Sequence, residues 1–317
     1  MSVFVKQTAT PCAFTSSDSW VILSPIEQSI KHKIESAGTP LKDWGVNIYR
    51  GILTGCNEAF IIDEAKRAEI LSWCQDDAER KRTGEIIRPI LRGRDIKRYA
   101  YEWAHLYIIA TFPAFHLDIN DYPAIKKHLS SFGKERLEQT GREHIVNGLR
   151  VKARKKSNNK WFETQDTIGY WDDFSKPKIL WMDLSDVPTF AYDDNAHFAN
   201  NTVYFLSGRK DLLFLLGYLN SKIATYLFSQ VGSTSGVGTT RWQAFTMERL
   251  FVPHVTPEKV SRMTGLVNRI LTAKKANPAI DMSSIEQEID RLVYSLYGLT
   301  AEEVAVIEYK LSCESPK

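Results

Sequence analysis

The chain has 317 residues, of which 43% are hydrophobic and 25% charged, and its net charge is +3 at neutral pH. This composition is typical of a globular protein of one large domain or two ordinary ones, and it argues against a membrane protein because no apolar run approaches the ~20 residues that cross a bilayer. The four cysteines (Cys12, Cys56, Cys74 and Cys313) are widely spaced without a CxxC pair, which argues against a disulfide framework or a zinc site and favours a reducing, cytoplasmic environment.

The first half of the chain alternates short helices and strands. Ser24 and Pro25 supply an N-cap and a first helical position, isoleucines follow at helical spacing, and Gly38 ends this predicted helix. Strands are predicted on both sides of Thr54-Gly55, so this pair should form the turn of a hairpin. The remaining elements predicted in this half are a helix in EAKRAEILSWCQ, an extended segment in EIIRPILRG, and strands in HLYIIATF, KPKILWMD, TFAYD and NTVYFL.

After residue 208 the pattern becomes helical. The predicted elements there are one long helix in KDLLFLLGYLNSKIATYLFSQV, a loop in GSTSGVGTTRW, a short strand in FTMERLFVP, and helices in TPEKVSRMTGLVNRILTAKKA, SSIEQEIDRLVYSLYGL and TAEEVAVIEYKL. We therefore predict an α/β (α+β) fold with three parts: a leading linker over residues 1–18, a mixed α/β domain over residues 19–208, and a helical support region over residues 209–317.

Positive charge is concentrated in two stretches of an otherwise nearly neutral chain. From Arg80 to Arg98 there are eight Lys and Arg residues against two acids, and from Arg142 to Lys160 there are seven against one. Aromatic residues lie beside both stretches, and basic groups that bind phosphate next to rings that stack on bases are typical of nucleic-acid-binding proteins. A single basic cluster is more often a solvated surface, but two flanked clusters favour a polyanionic partner.

The segment GILTGCNEAF, residues 51–60, has the small residues of a phosphate-binding loop but not its spacing. A Walker loop requires Lys-Ser or Lys-Thr after the second glycine, where this chain has Cys56-Asn57, and a dinucleotide-binding loop requires a third glycine that opens a helix. An ordinary turn is the alternative interpretation. Hydroxyl and backbone N–H groups of such a loop can nevertheless approach a phosphate closely, so Thr54 and Asn57 are candidate DNA-binding residues.

No complete active site or metal site is found in the sequence. Two Glu-x-Lys tripeptides, at residues 64–66 and 79–81, match a motif of restriction nucleases, but both lie in or beside predicted helices rather than at a strand edge. The seven histidines form no HxH or HxxxH pair, no GxSxG motif occurs, and the adenine-gripping motif of amino-methyltransferases is absent. The sequence therefore predicts no catalytic residue and no metal ligand in this chain.

Eight sequence blocks occur in the order found in a known family. They are YRGILTGCNEAFIID (49–63), IIRPILRGRDIKRY (86–99), KWFETQD (160–166), YWDDFSKPKILW (170–181), NNTVYFLSG (200–208), LLGYLNSKIATYLF (215–228), RWQAFTMERLFVP (241–253) and IDRLVYSLYGLTAEEV (289–304). Together they resemble the TaqI-like C-terminal specificity domain, over nearly the whole chain from about Trp20 to Glu308. In that family the domain follows an N6-adenine methyltransferase domain in single-chain restriction-modification enzymes of type IIG.

The resemblance implies a target recognition domain whose fold is similar to the specificity subunits of type I restriction enzymes. It implies two partners, double-stranded DNA and the N-terminal methyltransferase domain of the same parent chain. That parent is expected to be a site-specific DNA adenine-N6 methyltransferase with restriction endonuclease activity. The family's motifs for S-adenosylmethionine belong to the preceding domain, so we expect this chain to be a piece of a longer protein, without a cofactor or catalysis of its own. The alternatives are part of a nucleolytic restriction enzyme with a degenerate metal site, or a non-catalytic protein-interaction scaffold.

Basic residues at three places are the remaining candidates for DNA contact. In RPILRGRDIKR, some of the arginines should bind guanine bidentately, although pairing with Asp95 is an alternative for at least one of them. In VKARKKSNNKWF the polarity leaves little core to join, so this loop should be mobile without DNA and its cations should bind phosphate. The full set is Arg88, Arg92, Arg94, Arg98, Lys152, Arg154, Lys155, Lys156, Lys160 and Arg241.

Overall fold

A computed structural model describes residues 23–208, 211–231, 233–234 and 240–314. The predicted linker over residues 1–18 lies outside the described residues, as does most of the Gly/Ser/Thr loop, residues 235–239. The α-helices are α1 (Pro25–Ala37), α2 (Asn57–Phe60), α3 (Glu64–Ser72), α4 (Asp77–Ile86), α5 (Pro123–Ser130), α6 (Lys134–Leu137), α7 (Leu212–Leu219), α8 (Lys222–Val231), α9 (Ala244–Met247), α10 (Pro257–Ala276), α11 (Ser283–Leu296) and α12 (Ala301–Glu314). The strands are β1 (Gly38–Pro40), β2 (Asn47–Arg50), β3 (Ile61–Asp63), β4 (Ile87–Leu91), β5 (Ile96–Lys97), β6 (Ala100–Tyr101), β7 (Leu106–Ile109), β8 (Glu143–Val146), β9 (Leu149–Lys152), β10 (Lys178–Met182), β11 (Phe190–Asp193), β12 (Phe198–Ala199), β13 (Val203–Ser207), β14 (Ser233–Thr234), β15 (Thr240–Arg241) and β16 (Phe251–Pro253).

Two four-stranded sheets form the centre of the fold. In the first sheet the order is β11-β10-β13-β2, and neighbouring strands are antiparallel. In the second sheet the order is β12-β4-β7-β3, where the short pair of β12 and β4 is parallel and the other pairs are antiparallel. An isolated parallel bridge between Ile52 and Asn200 connects the segments that follow β2 and β12, so the two sheets meet at this point.

Alternation along the central strands divides the apolar side chains between two cores. On β10, Ile179 and Trp181 share a core with the C-terminal helices, whereas Leu180 points to the opposite face, where Phe205 of β13 is its cross-strand partner. That opposite face packs against the second sheet through residues such as Ile90. Complete burial of one such aliphatic or aromatic side chain stabilises the fold by ~1.5–3 kcal/mol, so this shared core holds the two sheets face to face.

Short helices cover the other face of the second sheet. Ile87 and Ile109 lie there in a third core, together with Ile70 of α3 and Ile125 of α5. The layers are therefore helices, sheet, sheet and helices, and this mixed arrangement followed by a helical part confirms the predicted fold class. The predicted boundary between residues 208 and 209 stays a prediction. The first core contains residues from both sides of it.

The hairpin predicted around Thr54-Gly55 is wrong. Before this pair, β2 is bonded to β13, with Tyr49 opposite Phe205, whereas β3 after it is bonded to β7. The two strands belong to different sheets, and the residues between them cross from one sheet to the other. A pattern of apolar residues that predicts a strand does not identify the neighbour to which that strand bonds.

The long helix predicted after residue 208 is broken into α7 and α8, which meet at an angle of 67°. At the break, the side-chain amide of Asn220 bonds to the backbone N–H and carbonyl of Phe190 at 3.1 and 3.0 Å. The Ser221 hydroxyl then accepts a hydrogen bond from the N–H of Ala224, and this bond caps the start of α8. Within the described ranges, no single helix is long and apolar enough to cross a membrane, although α7 and α8 taken together would be by length and composition.

Candidate nucleic-acid interface

The joining segment, residues 50–57, passes from the first sheet to the second and is bonded firmly to the rest of the chain. The N–H of Leu53 donates to Asp166 Oδ2 at 3.1 Å, and the carbonyl of Leu53 accepts from the N–H of Asp166 at 3.1 Å. Glycine is required at position 51 because a Cβ on Gly51 would lie 2.0 Å from the carbonyl oxygen of Asn200. The segment is therefore a fixed junction, and many of its backbone groups bond within the protein.

The two candidate residues in the joining segment lie in different environments. Thr54 is fully buried, and its hydroxyl donates to Asn57 Oδ1 at 2.7 Å and accepts from the N–H of Cys56 at 3.2 Å. Because this hydroxyl is used inside the protein, Thr54 is removed from the candidate DNA contacts and becomes a structural residue. Asn57 is exposed, so its side chain remains accessible to a ligand.

Arg154, a predicted phosphate contact, is instead a buried structural residue. Its side chain donates to four backbone carbonyls, those of Thr54, Leu137, Trp161 and Glu163, at 2.7 to 2.8 Å. Burial lowers the pKa of the guanidinium to about 10, which leaves it charged at neutral pH. A guanidinium occupied in this way cannot also bind a DNA phosphate, so the assignment of Arg154 is corrected. The segment around it also has more core contact than its polar sequence indicated.

A polar edge forms at the turn between β12 and β13, which contacts both the end of β2 and the segment after β4. The N–H of Gly93 donates to Thr202 Oγ1 at 2.9 Å, and Arg50 Nε donates to the carbonyl oxygen of Asn201 at 3.2 Å. Arg94 follows Gly93 and is exposed, and its guanidinium has no protein partner among the described residues. The turn therefore brings arginines from distant parts of the sequence to one edge.

Arg241 joins this edge from the C-terminal part of the chain. It forms an isolated antiparallel bridge with the residue after Asp183, and the N–H of Asp183 donates to the carbonyl oxygen of Thr202 at 3.0 Å. Burial and the charge of Asp183 raise the pKa of Tyr204, while the charges of Arg50 and Arg241 act in the opposite direction. The arginine edge consists of Arg50, Arg92, Arg94 and Arg241.

Within the arginine edge, Arg92 and Arg94 differ in what holds them. Arg92 binds Asp95 bidentately, through Nε at 3.1 Å and Nη2 at 2.8 Å, and this bond raises the pKa of Arg92. This is the Arg–Asp pairing that the sequence left open as an alternative. Arg92 therefore fixes the shape of the loop, and Arg94 presents the guanidinium that is available to a base.

The two remaining arginines of this stretch have other neighbours. Arg88 is half-buried, and its guanidinium lies 5.5 Å from the ring centroid of Phe198. Arg98 Nε donates to Glu286 Oε2 at 2.7 Å, and Arg98 Nη1 donates to Asn220 Oδ1 at 3.4 Å. Arg98 thus connects the mixed α/β part to the C-terminal helices, and its predicted DNA contact is replaced by this structural role.

The candidate lysines form a second basic surface. Three of them, Lys152, Lys155 and Lys156, are exposed, and the carbonyl of Lys155 accepts from Gln165 Nε2 at 3.2 Å. Lys160 is also exposed, with Nζ 3.9 Å from a Glu163 carboxylate oxygen, a distance at which a surface pair contributes only ~0–1 kcal/mol. The N–H of Gln165 donates to the carbonyl of Leu53, so this surface is attached to the joining segment. The lysine surface consists of Lys152, Lys155, Lys156 and Lys160.

The acidic residues form no metal-binding cluster in the described part of the chain. No group of three or more His, Cys, Asp or Glu side chains there could hold a metal ion, and Lys66 of the first Glu-x-Lys tripeptide pairs with Glu69 on the surface of α3. Asp193, the last residue of β11, is fully buried and contacts Lys178 Nζ at 2.5 Å and His197 Nδ1 at 2.8 Å. These three buried groups therefore satisfy one another in the core.

Sequence analysis missed one residue of the arginine edge and the hairpin that carries Lys152 of the lysine surface. Arg50 gives no pattern signal, because its partner Asn201 is 151 positions away. The hairpin of β8 and β9, which carries Arg150, was also missed. Asn147-Gly148 between EHIV and LRVK could have revealed it, since this dipeptide is the strongest short signal for a two-residue hairpin turn.

The chain spans about half the length of two curated relatives that it matches. It is 23% identical over 297 residues to the type II methyltransferase M.XhoI of Xanthomonas vasicola, covering 92% of this chain and 47% of that protein. It is 22% identical over 289 residues to the type II methyltransferase M.PaeR7I of Pseudomonas aeruginosa, covering 90% and 44%. A third relative, the type II methyltransferase M.MjaIV of Methanocaldococcus jannaschii, is 24% identical over 254 residues, covering 77% and 76%.

Among solved structures, the type IIL restriction-modification enzyme MmeI in complex with DNA has a similar fold. The TM-score is 0.55 at 13% sequence identity, over 84% of this chain and 35% of that one. A family model for the TaqI-like C-terminal specificity domain matches residues 88–252, slightly more than half of the chain. The resemblance drawn from the eight sequence blocks is therefore confirmed, and the chain belongs to the family of TaqI-like C-terminal specificity domains.

Proposed function

We propose that the chain is the target recognition domain of a longer restriction-modification methyltransferase, and that it binds double-stranded DNA at a specific sequence. Its family membership and its type II methyltransferase relatives support this proposal. Methyl transfer to adenine N6 from S-adenosylmethionine, in the cytoplasm, would be carried out by another domain of the same protein. The chain itself would select the site.

The observation that carries the proposal is the connection of two basic surfaces by a fixed segment. The arginine edge begins at Arg50, and the lysine surface is attached near Leu53 through Gln165. From Arg50 to Leu53 the chain spans at most about 11 Å, which is within the ~12 Å width of the major groove of B-DNA. A connection this short allows one surface to contact base edges while the other contacts adjacent phosphates.

The two surfaces differ in chemistry in the way that this division of roles requires. Arg94 presents a planar guanidinium, which can bind O6 and N7 of guanine with two parallel hydrogen bonds. Lysines act as point charges on flexible stems, which suits contact with phosphate regardless of sequence. Arg94 would therefore contribute to specificity, and the lysine surface to affinity.

Salt dependence of DNA binding tests the role of the lysine surface. Replacing Lys152, Lys155 and Lys156 together by alanine is expected to weaken binding to a mixed-sequence duplex and to flatten the plot of log affinity against log salt by up to ~2.7, because each neutralised phosphate contributes a slope of ~0.9. The measurement is a fluorescence-anisotropy titration at several salt concentrations.

A matched control for this variant is available on the C-terminal helices and α1. Lys31, Lys259 and Lys275 are equally exposed, and their joint replacement by alanine removes the same net charge elsewhere. We expect the control to keep the salt slope of the unmodified chain. Equal slopes for the two triple variants would show that the lysine surface is not part of the DNA interface. If the unmodified chain showed no salt-dependent binding to DNA, the proposed function itself would be contradicted.

A further inference from the structure

The hairpin of β8 and β9 projects a tip that is apolar. Its two-residue turn, Asn147-Gly148, has φ values of +52° and +80°, which are those of the type I′ turn that joins tightly paired strands. Beside the turn, Ile145 is 80% exposed and Leu149 is 72% exposed, more than any other large apolar side chain among the described residues. Removing these two side chains from water would be favourable, so their exposure leaves binding energy available to a partner.

The base of the same hairpin is fixed to the body of the protein. The N–H of Ala153 donates to the carbonyl of Arg142 at 2.9 Å, and the N–H of Gly141 donates to the carbonyl of Arg154 at 2.8 Å. Because Arg154 is itself bonded to four backbone carbonyls in the interior, the hairpin starts from a rigid point. The exposed tip is thus held out from the surface in a defined direction.

Charge indicates the kind of partner that this tip meets. Ile145 is the cross-strand partner of Arg150, and Glu143 is that of Lys152, so these four exposed side chains share one face of the hairpin, whereas Leu149, the partner of Val146, lies on the opposite face. Arg142 at the base adds a further exposed cation. A partner that offers apolar surface between rows of negative charge matches this face, and stacked bases between phosphate backbones have that arrangement.

We infer that this hairpin is a DNA-inserting arm, in which the tip that carries Ile145 on one face and Leu149 on the other enters between adjacent base pairs and partly unstacks them while Arg142 and Arg150 bind the flanking phosphates. Leucine and isoleucine are among the residues that act as such wedges in DNA-bending proteins. The inference rests on the proposed function, since it requires that the chain bind duplex DNA, and it adds that the bound duplex is locally unstacked.

The test compares wild type with the double variant Ile145→Ser, Leu149→Ser on two duplexes of one sequence, one fully paired and one with a single mismatch. A wedge should prefer the mismatched duplex several-fold, because a mismatched base pair costs less to open. The variant should bind the paired duplex about tenfold more weakly (~1.4 kcal/mol), lose the preference for the mismatch, and keep the wild-type salt slope, since apolar contacts release no counterions.

The control is the double variant Ile280→Ser, Tyr309→Ser, which removes two exposed apolar side chains from the C-terminal part. It should bind both duplexes as wild type does, and the tip variant should keep the wild-type melting temperature because Ile145 and Leu149 are exposed. Equal affinity of the tip variant and wild type would overturn the inference. A loss of affinity in the tip variant would also overturn it if wild type showed no preference for the mismatched duplex. Failure of wild type to bind either duplex would instead contradict the proposed function.

Discussion

Replacing Arg154 by alanine is expected to lower the free energy of unfolding by ~3–5 kcal/mol, one of the two largest effects that we predict for a single residue. Truncation would leave the carbonyls of Thr54, Leu137 and Trp161 without the arginine donor in a region closed to water, whereas the carbonyl of Glu163 would keep its bond from Gln139 Nε2. It would also leave a cavity beside the Phe60 ring, which lies 5.1 Å from the guanidinium carbon. Urea unfolding followed by circular dichroism measures the change.

Two further variants separate hydrogen bonding from charge at this position. Arg154→Lys keeps the charge, but one ammonium group cannot reach four carbonyls that a planar fork serves, so most of the loss should remain. Lys155→Ala and Lys156→Ala remove exposed neighbouring charges and should change the free energy of unfolding by less than ~0.5 kcal/mol. If Arg154→Ala were as stable as these neighbours, the structural role assigned to this arginine would be wrong.

Replacing Asp193 by asparagine is expected to cost ~3–5 kcal/mol at neutral pH, because it leaves the buried ammonium of Lys178 without its counter-charge. Despite the opposing effect of burial, hydrogen bonds from His197 and the charge of Lys178 hold the pKa of Asp193 down to about 2, against 3.8 for an ordinary aspartate. Thermal unfolding of the two proteins at neutral pH gives the first comparison, and the variant should melt at the lower temperature.

The pH dependence of this difference has a defined sign. A carboxylate with a lowered folded-state pKa contributes stability above the unfolded pKa of 3.8 and loses it as pH falls through the folded value of about 2. About 2–3 kcal/mol of the advantage of wild type over Asp193→Asn should therefore disappear between pH ~4 and ~2. An advantage that stays constant over this range would show that Asp193 is not the titrating group.

Local sequence patterns predicted many of the strands and helices but little of the pairing between strands. Apolar runs rich in β-branched and aromatic residues correctly predicted β7, β10, β11 and β13, and helical periodicity and capping residues predicted α10 to α12. The error at Thr54-Gly55 arose because the choice between a hairpin and a crossing between sheets depends on β7 and β13, which are distant in the sequence. The break between α7 and α8 depends likewise on a bond from Asn220 to a residue of another strand.

Basic residues were predicted as a class, but their separate roles were not. A run such as VKARKK looks uniformly exposed, yet the carbonyls that hold Arg154 belong to other segments, the nearest of them seven residues away. The pairing of Arg92 with Asp95 could be anticipated from the sequence because the two residues are three positions apart, and the structure contains this pair. The partner of Arg98 is 188 positions away and gives no sequence signal.

The central claim is that this chain selects a DNA sequence through its arginine edge, and the adenine-methylated sites of the intact protein test it most directly. The intact protein and its Arg94→Ala variant would be expressed in a host without adenine methylation, and modified sites would be mapped across the genome. Arg291→Ala, an exposed arginine of α11, serves as the control. We predict one sequence motif for wild type and control, and a motif relaxed at a single base pair by ~1–3 kcal/mol for Arg94→Ala. Methylation of the same motif with the same selectivity by Arg94→Ala would contradict the account.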